Sequence, residues 1–260
     1  MNTTEVIEKI KFLAQIVKLR TNRKLRNLKS INQEYDVVWS QIDETLEFDA
    51  HLTGYRDDPD DTALILDHGK FIKTQYKEYY NEYTNQFLKY IKKYSERNFP
   101  IVELGCGVGS KLFVLAKNGF SNLSGYDLTE AGINIAKRYN DKKQYNVNFE
   151  IVDLTKKIPD LTGKTIFTVS CLEQLKNYMP KVLKNIINAN PNLVINFEVD
   201  YNNAPYLVKK YFDAVDYQNN LVSELEKMPV TIVHKEELPL QLSFVNPLSI
   251  IVWKPNNEKN

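Results

Sequence analysis

Cysteine is almost missing from these 260 residues: Cys106 and Cys171 are the only two. That excludes a disulfide framework and a zinc-ligand spacing, and it is one thiol short of an iron–sulfur radical cluster, so no metal site is expected. Both thiols stand at predicted strand ends, which suits a reducing compartment. A leader-like start and an uninterrupted apolar run of membrane length are also missing, so the expectation is a soluble, cytoplasmic protein with no membrane span. An excess of charge is lacking too. Lys and Arg number 34 against 33 Asp and Glu, a net charge of +1, so no global field draws the chain to nucleic acid or a membrane. Internal repeats are absent, and the only low-complexity tract is the short polar tail at residues 256–260. What remains is a chain that is 43% hydrophobic, enough for the core of one large α/β domain or of a domain with an appendage.

The chain is organised around Ile101-Val102-Glu103-Leu104-Gly105-Cys106-Gly107-Val108-Gly109-Ser110. Ile101 and Val102 suit an interior strand, and Leu112, Leu115 and Ala116 carry the spacing of a helix. The glycines between them allow positive φ and let a ligand approach bare backbone, where the free amides of a helix start favour anionic groups. Leu123-Ser124-Gly125-Tyr126-Asp127 reads as a second strand ending in an acid, 22 positions after Gly105. A carboxylate there is placed to accept the hydroxyls of a ribose lying across the strand ends. Ile151-Val152-Asp153-Leu154 ends a third strand in the same way. A nicotinamide dinucleotide site asks for a glycine five places after the first, where this chain has Ser110.

With the spacing Gly105, Gly107, Gly109, an acid two places before the first, and Asp127 and Asp153 in order, the chain resembles the class I S-adenosylmethionine-dependent methyltransferases over about residues 96–200. The resemblance implies an α/β fold: a Rossmann-like, seven-stranded, mostly parallel sheet with helices on both faces, plus an N-terminal helical appendage. It implies a helical cap over residues 1–97 and a domain that binds S-adenosyl-L-methionine over residues 98–260. It also implies that Gly105, Cys106 and Gly107 lie along the methionine part of the cofactor, with Glu103 orienting the loop. Asp127 would hold the ribose and Leu128 would pack on the adenine, while Asp153 would face the adenine amine with Leu154 beside it.

Upstream, residues 4–28 read as a helix with Val6, Ile7, Ile10, Leu13, Ile16 and Val17 on one face. Residues 1–30 hold eight Lys or Arg against two Glu, and residues 31–68 hold eleven Asp or Glu against one Arg. Such segments either face each other or are solvated surfaces, although an anionic partner for the first stays open. Arg56, beside a Pro59-broken acidic loop, is a candidate for a cofactor carboxylate or a phosphorylated substrate, or else simply balances its neighbours. Residues 71–94 read as a helix with Tyr76, Tyr79, Tyr80 and Tyr83 at helical spacing, a packing stripe from which Tyr76 or Tyr80 is the substrate-binding candidate.

Residues 164–170 form a fourth predicted strand, followed by Cys171-Leu172-Glu173-Gln174. At the carboxyl end of an open parallel sheet, Ser170 is placed to meet the methyl donor, and Glu173 and Gln174 the acceptor. Many relatives have Glu-His where this chain has Glu173-Gln174, so an imidazole base is missing. A fifth strand ends in Glu198, a helix spans about 205–227, and strands near 230–234 and 248–253 form an antiparallel edge, with Asn246 on the connection near the cleft. Glu173 and Glu198 are the candidate bases; His234 is the remaining one, although a lone histidine near an edge strand is more often structural.

The Asn/Asp-Pro-Pro-aromatic loop of amino-methylating enzymes is absent after the fourth strand, and no basic stripe with interleaved aromatics lies near the cleft. The expected activity is therefore methyl transfer to a small molecule, with oxygen the acceptor atom on a sugar, a nucleotide-linked intermediate or a surface-polysaccharide precursor. A homodimer is a candidate assembly. Two other readings stay open: an NAD(P)-dependent oxidoreductase or epimerase, and a non-catalytic cofactor-binding protein that docks a partner through its basic first helix.

Overall fold

The computed structural model describes residues 3–21, 26–42, 62–67, 70–218, 220–241 and 247–256. Seven strands form the main sheet: β3 (Ile101–Leu104), β4 (Leu123–Asp127), β5 (Val147–Ile151), β6 (Thr165–Val169), β7 (Leu193–Val199), β8 (Val230–Glu237) and β10 (Leu248–Pro255). Their order is β5-β4-β3-β6-β7-β10-β8, parallel from β5 to β7 and antiparallel where β10 pairs with β7 and β8. The chain order reverses beside β3, between β4 and β6. In an open α/β sheet that reversal opens a crevice beyond the strand carboxyl ends.

Interior strands bury both faces, and β3 is buried at all four positions. On one face Ile101, Phe167, Ile195 and Phe197 pack against α3 (Tyr76–Tyr94), α4 (Ser110–Lys117), α5 (Glu130–Lys143) and α7 (Tyr206–Val215). On the other, Val102, Leu104, Ile166 and Val194 pack against α6 (Met179–Asn188) and α8 (Leu221–Leu225). The expected Rossmann-like sheet with helices on both faces is therefore present. One polar ladder crosses its core: Trp253 Nε1 donates to Asn196 Oδ1 at 2.7 Å, and Asn196 Nδ2 donates to Thr168 Oγ1 at 2.9 Å. All three residues are fully buried, so each group needs that partner.

The N-terminal region differs from the sequence expectation in three places. Helix α1 (Thr3–Thr21) buries Phe12 and Ile16 against Ala214 of α7, whereas Ile7, Ile10, Leu13 and Val17 are exposed. At 3.6 residues per turn Phe12, Ile16 and Leu19 share a face, and that face outcompetes the stripe expected from the spacing. A separate helix, α2 (Leu28–Ser40), starts where the first was expected to end, because Asn27 caps it: Asn27 Oδ1 accepts from Ser30 N and Ser30 Oγ accepts from Asn27 N, each at 3.0 Å. The helix expected over residues 71–94 begins only at Tyr76. Residues 70–75 form β2 (Lys70–Gln75), antiparallel to β1 (Thr62–Asp67), with β9 (Leu240–Gln241) on the far side of β1. Ile72 and Thr74 are β-branched, and β1 is too short an apolar run for a helix, so pairing wins over helix extension. Among the described residues no helix is long and apolar enough to cross a membrane.

Candidate active site

A cavity of about 350 Å³ opens at the crevice beyond β3, β4 and β6. Glu103, Gly105, Cys106, Gly107, Asp127, Leu128, Asp153, Leu154, Ser170, Glu173 and Gln174 all line it. Residues scattered over 70 positions of sequence thus share one wall, because parallel strands deliver their carboxyl ends to one edge.

The glycine loop is backbone laid bare. Gly105 has φ +74°, and a Cβ there would lie 2.0 Å from Cys171 Sγ. Gly107 has φ +51°, and a Cβ there would lie 2.8 Å from Trp39 Cζ2. Asp127 ties this loop to the next strand. Its Oδ2 accepts from Gly107 N at 2.8 Å, and its Oδ1 accepts from Thr129 N at 2.8 Å and from Thr129 Oγ1 at 2.6 Å. An ionised carboxylate offers about four acceptor positions, so roughly one is left for a ligand hydroxyl. Asp153 repeats the turn, its Oδ1 accepting from Thr155 N at 2.9 Å and from Thr155 Oγ1 at 2.7 Å. Burial pushes the Asp153 carboxyl up, but the Thr155 bonds and Lys156 outweigh it and hold it below the usual range. Asp160-Leu161-Thr162 makes the same turn on exposed surface, outside the cavity lining. The turn is thus a local device, and only its place at a central strand end makes it part of the site.

Glu103 is 3% exposed, and burial drives its carboxyl well above the usual range, Lys111 pulling it back and Asp127 adding to the rise. Ser170 ends β6 with φ +50°, a left-handed conformation uncommon outside glycine. Gln174 Nε2 donates to Glu173 Oε1 at 3.2 Å, which orients both side chains at the cavity wall.

Glu198 does not reach the cavity, and its expected role as a base is corrected here. It is fully buried, and its Oε1 accepts from the backbone amides of Cys171 and Leu172 at 3.0 and 3.1 Å. It therefore caps the 3₁₀ segment Leu172–Tyr178 that carries Glu173 and Gln174. Burial lifts its carboxyl from the usual 4.5 to about 7, against the pull of those amides. A raised folded-state value means that its stabilising contribution is complete below pH about 4.5 and is lost as pH rises through about 7. Glu198→Gln should cancel that slope: in urea melts the stability difference between wild type and variant should shift in favour of the variant between pH 4.5 and 7.5. A pH-independent difference would show that Glu198 does not titrate in this window.

Tyr76 and Tyr80 lie on α3 outside the cavity lining, their rings stacked at 6.4 Å. They pack rather than line the site, and Tyr80 instead faces the ammonium of Lys111 at 5.6 Å. Arg56 and Asn246 lie outside the described residues. His234 sits on edge strand β8, 2.8 Å from Glu236, and takes no part in the cavity.

Two contributors escaped the sequence reading. Helix α2 roofs the cavity with Leu28, Ile31, Tyr35 and Trp39. It is held down by Asp36 Oδ1, which accepts from Ala131 N of α5 at 3.2 Å. The Asn27-x-x-Ser30 cap and the spacing of those four side chains were signals of it in the sequence. Lys111, in the first turn of α4, also lines the cavity.

A family profile described as a methyltransferase domain matches residues 95–225. Among solved structures, the chain resembles the PH0226 protein from Pyrococcus horikoshii OT3 at 19% identity, covering 68% of this chain and 91% of that one, with a TM-score of 0.55. Magnesium protoporphyrin IX methyltransferase from Synechocystis PCC 6803, solved with bound SAH, is 13% identical over 69% of this chain and 84% of that one, with a TM-score of 0.55. Geranyl diphosphate C-methyltransferase from Streptomyces coelicolor A3(2), in complex with Mg2+, geranyl diphosphate and S-adenosyl-L-homocysteine, is 10% identical over 86% and 97%, with a TM-score of 0.59. At these identities the likeness is one of fold. No curated protein sequence matches.

Proposed function

The chain belongs to the methyltransferase-domain family, and from that premise we propose that it is an S-adenosylmethionine-dependent enzyme that methylates a small molecule at oxygen. The observation that carries the cofactor assignment is Asp127, at the end of β4, bonded to the amide of Gly107 in the lining of a cavity that Asp153 also lines. The residues fit the group. Gly105 and Gly107 expose bare backbone in the cavity lining, Asp127 retains acceptor capacity for a ribose hydroxyl, and Glu103 Oε2 is buried without a hydrogen-bond partner. Leu128, Val152 and Leu154 offer apolar surface for an adenine beside Asp153.

When bound, S-adenosylmethionine supplies an electrophilic methyl group on a sulfonium. The protein's task is then alignment and exclusion of water, which in favourable geometries contributes on the order of 7–11 kcal/mol. The α2 roof, with Trp39 over Gly107, does the excluding. An oxygen acceptor must lose a proton, and Glu173 is the carboxylate on the cavity wall assigned to take it, with Gln174 holding it in place. The finer reading of the acceptor is a polyhydroxylated one: a sugar, a nucleotide-linked intermediate or a surface-polysaccharide precursor. Its support is a set of polar lining residues in mutual reach: Gln174 donates to Glu173, and Tyr35 feels the charge of Glu173.

The test of the cofactor is thermal. At a hundredfold excess over its Kd, S-adenosylhomocysteine should stabilise the folded chain by about 2.7 kcal/mol, raising Tm by several degrees, and NAD(H) should not. A shift with NAD(H) alone would instead support the oxidoreductase reading, against which Ser110 stands at the position of the third glycine. Labelled methyl transfer into an extract of the producing cell tests the activity, and saturable cofactor binding with no labelled product would favour a non-catalytic role.

A further inference from the structure

Four carboxylates line the cavity, Glu103, Asp127, Asp153 and Glu173, and among its described lining residues Lys111 is the one cation. Its place is an expensive one. It stands in the first turn of α4, at the positive end of the helix dipole, where a lysine is unfavourable. It is half-buried, and desolvation lowers its ammonium to about 8, Glu103 acting the other way. Three aromatic rings hold its cation: Tyr83 at 4.4 Å from Nζ, Tyr80 at 5.6 Å and Phe87 at 5.7 Å.

We propose that Lys111 anchors the carboxylate at the amino-acid end of the cofactor; this rests on the cofactor reading above. The ligand carries a sulfonium, an ammonium and one carboxylate. A wall of four carboxylates attracts the first two and repels the third, so the third needs a cation, and Lys111 supplies it. An anion beside Lys111 and the first-turn amides of α4 relieves both the desolvated ammonium and the unpaired helix start. Glu103, from the end of β3, has a buried Oε2 without a hydrogen-bond partner; burial favours its neutral form, and a ligand ammonium there, adding to the pull of Lys111, would draw it back towards the carboxylate, so that the pair matches the zwitterion charge for charge. The tyrosine stripe of α3 thereby acquires a role one step removed from the ligand: it positions Lys111.

The experiment compares S-adenosylhomocysteine with 5′-methylthioadenosine, which keeps the nucleoside and sulfur but lacks the amino-acid end. Calorimetric titration of the full chain should show that Lys111→Met weakens S-adenosylhomocysteine about tenfold to hundredfold and leaves 5′-methylthioadenosine unchanged. Equal weakening of both ligands, or of neither, overturns the proposal. Wild type that binds neither ligand overturns the cofactor reading itself. If Lys111→Met does not fold, the wild-type chain decides: decarboxylated S-adenosylhomocysteine should bind at least tenfold more weakly than the parent, and equal affinity overturns the assignment.

Discussion

Asp127→Ala is expected to leave a folded protein whose Tm no longer responds to S-adenosylhomocysteine. In the wild type this carboxylate accepts from Gly107 N, Thr129 N and Thr129 Oγ1. Its removal takes away the ribose acceptor and also frees the amide that fixes the glycine loop. Each stranded donor costs about 1–3 kcal/mol if it stays buried, so the loop and the following turn should loosen together. A hundredfold or greater rise in Kd follows, which at ligand concentrations that saturate the wild type erases most of the shift. Asp127→Asn should do little better, although it is nearly isosteric. Whichever way the amide turns, its NH2 meets an N–H of either Gly107 or Thr129, so a donor faces a donor. A variant at this position with an undiminished thermal shift would sink the cofactor assignment.

The second large effect is expected at Gly105. Its φ of +74° is left-handed, which costs an alanine about 1–3 kcal/mol. The added Cβ would also sit 2.0 Å from Cys171 Sγ and 2.6 Å from Cys171 Cβ. Rotation about χ1 can swing Sγ away, but Cβ is fixed to the backbone, so something must shift, and overpacking of this kind costs about 1–3 kcal/mol more. Gly105→Ala should therefore lose about 2–6 kcal/mol, and at roughly 2–4 °C per kcal/mol for a chain of this size Tm should fall by about 4 °C or more. The overlap has a signature that a general loss of glycine freedom lacks. Cys171→Ala removes only the Sγ contact, whereas Cys171→Gly removes both. In a double-mutant cycle Gly105→Ala should couple favourably to Cys171→Gly, and less so to Cys171→Ala. Additive losses in both pairs would mean that backbone strain alone sets the effect.

The elements that the sequence made legible are those whose signals are local. The run from Ile101 to Ser110 is strand, glycine turn and helix start in succession, and the three glycines take the positive φ values that their spacing implied. Asp127 and Asp153 end or follow strands because Leu123–Asp127 and Val147–Ile151, which bury Leu123, Tyr126, Val147 and Phe149, are each cut off by a turn in which the aspartate accepts from a threonine two residues on. Less legible was the stretch before residue 76. Its apolar residues fit more than one face and more than one period, and the winning arrangement depends on α7 and on β9, more than 160 residues further on. Glu198 illustrates the limit at a single residue. A glutamate at the end of an interior strand reads as a base, and only its amide partners, Cys171 and Leu172, show that it is a cap.

By itself, then, the sequence determined the order of strands and helices from Ile101 to Val199, the bare glycine turn and the two acids at neighbouring strand ends. These follow from side-chain period and backbone preference within a few residues. Tertiary structure alone decided that α2 roofs the cavity, that Glu198 is sealed beneath the 3₁₀ segment, and that Lys111 is the one cation among the described residues of a cavity lined by four carboxylates. The physical reason is that burial and charge pairing depend on neighbours that separate strands and helices bring together, and no local pattern encodes which of them will meet.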